Sequence, residues 1–458
     1  MVDMHYIDGY LEENLDQSIQ ELTVLCAQPS VAAQNWGVIE CAQLVENMLR
    51  KRGFSTKIYP TDGSPVVLAE REGRSEKTLL FYNHYDVQPP EPLELWQSPP
   101  FEPSLRDGKL FARGVSDDKG HIVSRLFAID ALLADDAEKH GGAGELPCNI
   151  KFIVEGEEEI SSVHLHEFVL NHKEELAADA CIWEFGGVDF RDVPMQYLGL
   201  RGICYVELIA ETAKIDAHSG LGGSIFPNAA WRLVWALNSL KGPDEKIRIP
   251  GHYDNVIPPT EQDRELMAAL PDAGEEYKTR YGIDHFLKGL EGGAELRLAE
   301  AFEPTCTICG LTAGYQGEGS KTVLPAYAKA KVDFRLAPGQ MPDQVLVSLR
   351  TYLDSQGFDD IKINFLGGEP PARTDPDDPF IQLVIQTAAD VYDQPMEIVP
   401  MNGGSGPSYP FVYDLGLPVA TAGVGHPGAQ AHAPNENIRI DLYLKGARHI
   451  ARIINAFA

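Results

Sequence analysis

Positive charge is scarce in this chain. Its 38 Lys and Arg residues face 68 Asp and Glu, a formal net charge of −30 at pH 7. Nucleic acids and anionic membranes bind basic surfaces, so this balance argues against both as partners and suits divalent cations instead. Long apolar runs are missing as well, and none approaches the roughly 18 residues of a membrane span. The first residues, Met1-Val2-Asp3-Met4-His5, lack a basic segment leading into an apolar one, so no secretory leader is expected. Cysteines number seven, an odd count, and lie mostly in apolar stretches, which points to free thiols in a reducing cytoplasm. Cys306-Thr307-Ile308-Cys309 has no second ligand pair nearby and reads as a strand rather than a zinc knuckle. Gly319-Ser320-Lys321-Thr322 has serine before the lysine and the wrong upstream glycines for a phosphate loop. Gly403-Gly404-Ser405-Gly406-Pro407 lacks the last glycine of a nucleophile elbow.

What is present is an ordinary globular composition, 44% apolar and 23% charged, in 458 residues, enough for two or three domains. Val38 to Leu49 has helical apolar spacing, and Ser55 to Tyr59 reads as a strand. Thr78 to Tyr82, Ile150 to Val154 and Ala180 to Trp183 are short apolar runs separated by a helical pattern after Gly120. Such alternation predicts an α/β domain with a mostly parallel sheet flanked by helices. From about Leu198 the order becomes strand, helix, strands, helix, strand, a ferredoxin-like α+β sequence. Helices are expected over Phe226 to Leu240, Pro342 to Leu353, Asp377 to Tyr392 and Leu442 to Phe457.

The chemistry collects where strands end. His84 and Asp86 follow the first apolar run, two residues apart and pointing the same way. Asp86 could orient the imidazole or bind a metal itself. Asp117 and Asp118 lie in the loop before a helix. Glu155, Glu157, Glu158 and Glu159 crowd one strand end, a costly arrangement unless solvated or neutralised by cations. Glu184 follows the next strand, and His426 and His432 lie in one Gly/Pro-rich loop near the C-terminus. Strand ends carrying His, Asp and Glu describe a two-metal hydrolase site.

The blocks His84-Tyr85-Asp86, Asp117-Asp118-Lys119-Gly120, Glu157-Glu158-Glu159, His218-Ser219-Gly220 and His432-Ala433-Pro434-Asn435-Glu436 are similar in order and spacing to the dinuclear zinc peptidases that include carnosinase, carboxypeptidase G and aminoacylase, nearest to the carnosinase-like dipeptidases. The resemblance spans nearly the whole chain. It implies two divalent ions per chain, zinc with manganese or cobalt as alternatives. His84 would sit on one ion and His432 on the other, with Asp117 bridging and Glu159 and Glu184 completing the two sites. Glu158 would be the general base and Asp86 the orienting group. His432 is preferred over His426 because the family's Asn-Glu follows it. The resemblance further implies a catalytic domain (1–198 and 372–458) interrupted by a lid and dimerisation domain (199–371).

His218 then becomes an oxyanion donor delivered into the partner's site of a homodimer, although from the residues alone it could merely cap a helix. Arg335 would grip the substrate's C-terminal carboxylate beside a backbone cradle at Gly404 and Ser405. Without the resemblance it is a strand residue paired with an acid. The Pro-rich segment from Pro89 to Phe101 could cover the mouth of the site. The substrate expected is a dipeptide or other small peptide. Glu184 stands where carnosinase-type enzymes usually carry aspartate and Ser161 where glycine is usual, which leaves N-acyl amino acid hydrolase and glutamate-type carboxypeptidase as alternatives. A non-catalytic binding protein on the same fold is the rival of another class.

Overall fold

The computed structural model describes residues 2–458. Two compact units divide the chain. One holds everything up to Gly199 together with Arg373–Pro400 and Pro407–Ala458, and the other holds Leu200–Ala372 and Met401–Gly406.

The first unit is built on a six-stranded sheet. Its strands are β1 (Ser55–Tyr59), β2 (Val66–Arg71), β3 (Gly73–His84), β4 (Leu146–Glu155), β5 (Ala180–Trp183) and the edge segment Val419–Thr421. Their order across the sheet is β1, β2, β4, β3, β5, Val419–Thr421. From β4 onward every pairing is parallel, while β1 and β2 add an antiparallel flank. Leu79–Tyr82 in β3 and all of β5 are buried, the continuous apolar run that a strand covered on both faces requires. Helix α1 (Val38–Lys51) turns Val38, Cys41, Ala42, Val45, Met48 and Leu49 inward. Helix α2 (Lys119–His140) is buried along most of its length and packs on the C-terminal helix Ile440–Phe457. After β3 the chain goes to β4 on one side and then to β5 on the other. That reversal opens a crevice at the carboxyl ends of these strands, the usual ligand position in such sheets.

In the second unit, β6 (Gly202–Glu211), β7 (Thr305–Ala313), β8 (Tyr327–Leu336) and β9 (Lys362–Glu369) form an antiparallel sheet in the order β7, β8, β6, β9. Helix α3 (Ala229–Leu240) follows β6 and α4 (Pro342–Ser355) follows β8. Cys204, Val206, Leu208, Val332 and Phe334 are buried against Leu233, Val345 and Leu349 of these helices. Strand alternation therefore turns Tyr205, Asp333 and Arg335 to the opposite face. Helix α3 starts at Ala229 rather than the expected Phe226, because the Asn228 side chain caps it by accepting from Trp231 N at 3.2 Å. Similarly, the helix expected from Asp377 begins at Pro379, where the Asp378 carboxylate accepts from Phe380 N. Among the described residues all seven cysteines are free, and no helix is long and apolar enough to cross a membrane.

Candidate active site

Three adjacent strands, β4, β3 and β5, deliver Glu155, His84 and Glu184 to one edge of the sheet. The His84 ring is fully buried. Its Nδ1 lies 3.1 Å from the backbone oxygen of Asp86 and 3.3 Å from Asp86 Oδ1. Its Nε2 lies 3.0 Å from Asp117 Oδ1 and 4.0 Å from Glu184 Oε2. The other Asp117 oxygen is 2.9 Å from His432 Nε2, which is itself 3.1 Å from Glu159 Oε2. Asp117 thus stands between an inner group with His84 and Glu184 and an outer group with Glu159 and His432. One ligand atom each from Asp117, Glu159 and His432 lies within 4.8 Å of the others. The competing His426 turns back on its own loop, where its Nδ1 accepts from Gly428 N.

Local structure separates the four crowded glutamates. Glu155 is buried and accepts hydrogen bonds from Tyr82 Oη at 2.7 Å and Ser162 Oγ at 2.8 Å. Glu157 pairs with His164 at 2.7 Å and accepts from Ser64 N at 3.1 Å. Only Glu158 and Glu159 remain for the cluster. They lie past the end of β4 and open a tight turn over Glu158–Ile160. Their backbone N–H groups donate to Asp86 Oδ1 and Oδ2 at 3.2 and 3.0 Å, so Asp86 fixes both the imidazole and this turn.

Several supporting contacts were not visible in the sequence. Arg125, buried in α2, donates to Tyr82 O and Asn83 Oδ1 at the end of β3 and to Trp183 O and Glu184 O at the end of β5. It ties together the two strand ends that carry His84 and Glu184. Asp118 Oδ2 accepts from Asn83 Nδ2 at 2.6 Å and His84 N at 3.2 Å. Gln88 Nε2 donates to Glu159 Oε2 at 2.8 Å. Farther along that loop, the backbone of Leu95 and Gln97 is tied to the Asn435 side chain, which joins the Pro-rich segment to the loop of His432.

The electrostatics are those of a cation site. Burial, then the charge of Glu184, pushes the Glu158 carboxyl well above its ordinary range. Burial does the same to Glu184, reinforced by Asp118 and Asp117. At Asp117, burial opposes ionisation, yet hydrogen bonds to His432 and His84 hold it well below the usual carboxylate range. Burial likewise disfavours a charged His84 ring, but Asp117 and Asp86 raise it well above the normal value. His432, beside Asp117 and Glu159, is pushed up to about 10. Glu184 Oε2 is buried without a hydrogen-bond partner. A buried carboxylate oxygen aimed at an imidazole and other carboxylates is costly unless a cation lies among them, so the donor set fits divalent metal.

The remaining predicted residues lie in the second unit. His218 is exposed, and its Nδ1 accepts from Gly220 N at 3.0 Å, which caps the short helix Ser219–Gly222. Arg335 donates to Ser405 Oγ at 2.8 Å and lies 3.6 Å from Asp333. Gly404 O accepts from Arg201 N, and Gly404 N donates to Asn402 Oδ1.

Imidazoles and carboxylates gathered at the strand ends of an open α/β sheet define the class as metal-dependent hydrolases. Residues 80–456 match the family model "Peptidase family M20/M25/M40", and the chain belongs to that family. A metallo-carboxypeptidase of this family from Sulfolobus solfataricus, Sso-CP2, superimposes with a TM-score of 0.91 at 35% identity, covering 96% of this chain and 99% of that one. Human carnosine dipeptidase 1 superimposes with a TM-score of 0.82 at 25% identity over 99% of each chain. In sequence, the chain is 25% identical to the Cys-Gly metallodipeptidase dug1 of Schizosaccharomyces pombe over 98% of its own length and 97% of that protein's. It is 30% identical to the Beta-Ala-His dipeptidase of Rattus norvegicus over 64% of this chain, a match spanning 58% of the rat protein.

Proposed function

We propose that the protein hydrolyses the amide bond of dipeptides or short peptides bearing a free C-terminal carboxylate, using two divalent ions, zinc by preference. The observation that carries this reading is the convergence of His84, Asp117, Glu159, Glu184 and His432 around the carboxylate of Asp117. His84 and Glu184 would hold one ion, His432 and Glu159 the other, with Asp117 shared. Ions held there supply Lewis acidity toward the scissile carbonyl and lower the pKa of water. Glu158 takes a proton on its carboxylate from the attacking water and returns it to the leaving nitrogen as the C–N bond breaks. Asp86 holds the His84 tautomer through Nδ1. Arg335, with Ser405 and the Gly404 backbone, would bind the substrate carboxylate. The second unit would act as a ferredoxin-like lid and homodimer interface, with His218 supplied to the site of a second copy as oxyanion donor.

Glu184 and the likeness to a metallo-carboxypeptidase support a second reading, hydrolysis of longer peptides or N-acyl amino acids from the carboxyl end. A panel of dipeptides, tripeptides and N-acyl amino acids, assayed with zinc-loaded and chelator-treated protein, tests both. Dipeptide cleavage that chelation abolishes is the expected result. Zinc-independent cleavage, or no cleavage of any amide, would overturn the proposal.

A further inference from the structure

Glu436 is fully buried and lies four residues after His432. It is the most completely satisfied carboxylate near the site. Its Oε2 accepts from Gly114 N at 2.9 Å and Arg113 Nη1 at 2.8 Å. Its Oε1 accepts from Ser116 N at 2.8 Å and Asp117 N at 3.0 Å. Four donors converge on two oxygens, and three of them are backbone groups of the loop that presents Asp117. The backbone continues the link: Ala112 N donates to Glu436 O at 3.1 Å, and Asn437 pairs with Phe111. The Asp117 carboxylate in turn meets His432 Nε2 at 2.9 Å, which closes a ring from Asp117 through His432 and Glu436 back to the Asp117 amide.

We infer that Glu436 is a positioning residue that locks the Asp117 loop to the His432 loop, so that both metal positions are preformed together and depend on one buried carboxylate. The inference rests on the assignment of Asp117 as the shared ligand. The contacts of its two oxygens distinguish Glu436 from an ordinary buried ion pair. Arg113 alone would neutralise the charge, and one oxygen would suffice for it. The second oxygen is given wholly to Ser116 N and Asp117 N, the amides flanking the proposed bridging side chain. Moving the His432 loop therefore moves Asp117, whereas loss of His432 itself would leave the Asp117 backbone in place.

The test is zinc binding followed by calorimetry on metal-stripped full-length protein. Glu436→Gln sets an amide NH2 against two of the four donors, and Glu436→Ala removes the acceptors without adding a donor. Both are expected to weaken zinc at both positions by about 10- to 100-fold, the usual cost of losing an outer partner of a ligand. His432→Ala is expected to weaken one position much more than the other. Unchanged zinc affinity in folded Glu436→Gln or Glu436→Ala, with only a lowered melting temperature, would reduce Glu436 to a structural ion pair and overturn the inference. Hydrogen exchange on the wild-type protein decides the matter even if neither variant folds. The Gly114, Ser116 and Asp117 amides should be protected before zinc is added, and protection that appears only after zinc would refute preformation. If zinc fails to bind wild-type protein at all, the metal-site assignment has failed rather than the role of Glu436.

Discussion

Arg125→Met is the substitution whose cost can be worked most directly from the structure. The side chain is 1% exposed and reaches four acceptors: Tyr82 O, Asn83 Oδ1, Trp183 O and Glu184 O. Methionine keeps the apolar stem and much of the volume but not the guanidinium, so the main loss is of hydrogen bonds. Each buried acceptor left without its donor costs about 1–3 kcal/mol. Part of that is returned because a guanidinium, whose pKa burial pulls down to about 10, no longer needs to be desolvated. A net loss of about 3 kcal/mol follows, against a typical total of 5–15 kcal/mol, so the variant should still fold. For a unit of this size that is a fall in melting temperature of roughly 5 °C. Because Arg125 joins the strand ends carrying His84 and Glu184, zinc affinity should fall with it. Thermal denaturation in chelator and zinc titration read the two effects. A melting temperature within about 2 °C of wild type would mean that these acceptors are satisfied some other way and that the tie between the strands is not real.

Other perturbations give distinct readouts. Glu158→Gln should retain both ions and lose about 100- to 10,000-fold in kcat, measured on the best substrate of the panel; near-normal turnover would remove Glu158 from proton transfer. His218→Ala should lose turnover with metal content intact, and mixing it with Glu158→Gln should restore about a quarter of wild-type activity if the histidine serves a second copy; no restoration confines it to its own chain. His449 in the C-terminal helix is buried, and desolvation pulls it down to about 4 from an unfolded value near 6.5. The folded state thus binds fewer protons, so this stability is present above pH 6.5 and is lost as pH falls toward 4, about 2 kcal/mol by pH 5. His449→Gln should flatten the melting temperature profile over that window, and an unchanged slope would assign the acid sensitivity elsewhere.

The residues that the sequence made legible share a location. His84, Asp86 and Glu184 stand immediately after apolar runs, so the strand that positions each one also announces it. The parallel sheet was readable for the same reason, since Leu79–Tyr82 and Ala180–Trp183 are too short and too apolar for surface helices. Choosing among Glu155, Glu157, Glu158 and Glu159 was different. The pattern alone shows four like charges, and only tertiary partners such as Tyr82, Ser162 and His164 show which two are spoken for. Arg125 was hidden inside a helix whose apolar spacing explained it away as one polar position among many. Gly73 to Lys77 extends β3 by polar residues that carry no strand signal, because that end of the strand is largely exposed. Between α3 and β7 the short helices Glu261–Ala269, Gly274–Tyr281 and Gly293–Phe302 bury few residues each, so their periodicity is faint.

Metal stoichiometry bears most directly on the whole account. Protein saturated with zinc and freed of excess by dialysis should carry two equivalents per chain by elemental analysis, with anomalous scattering from crystals locating them on either side of Asp117. Less than one equivalent, or zinc bound away from His84 and His432, would contradict it.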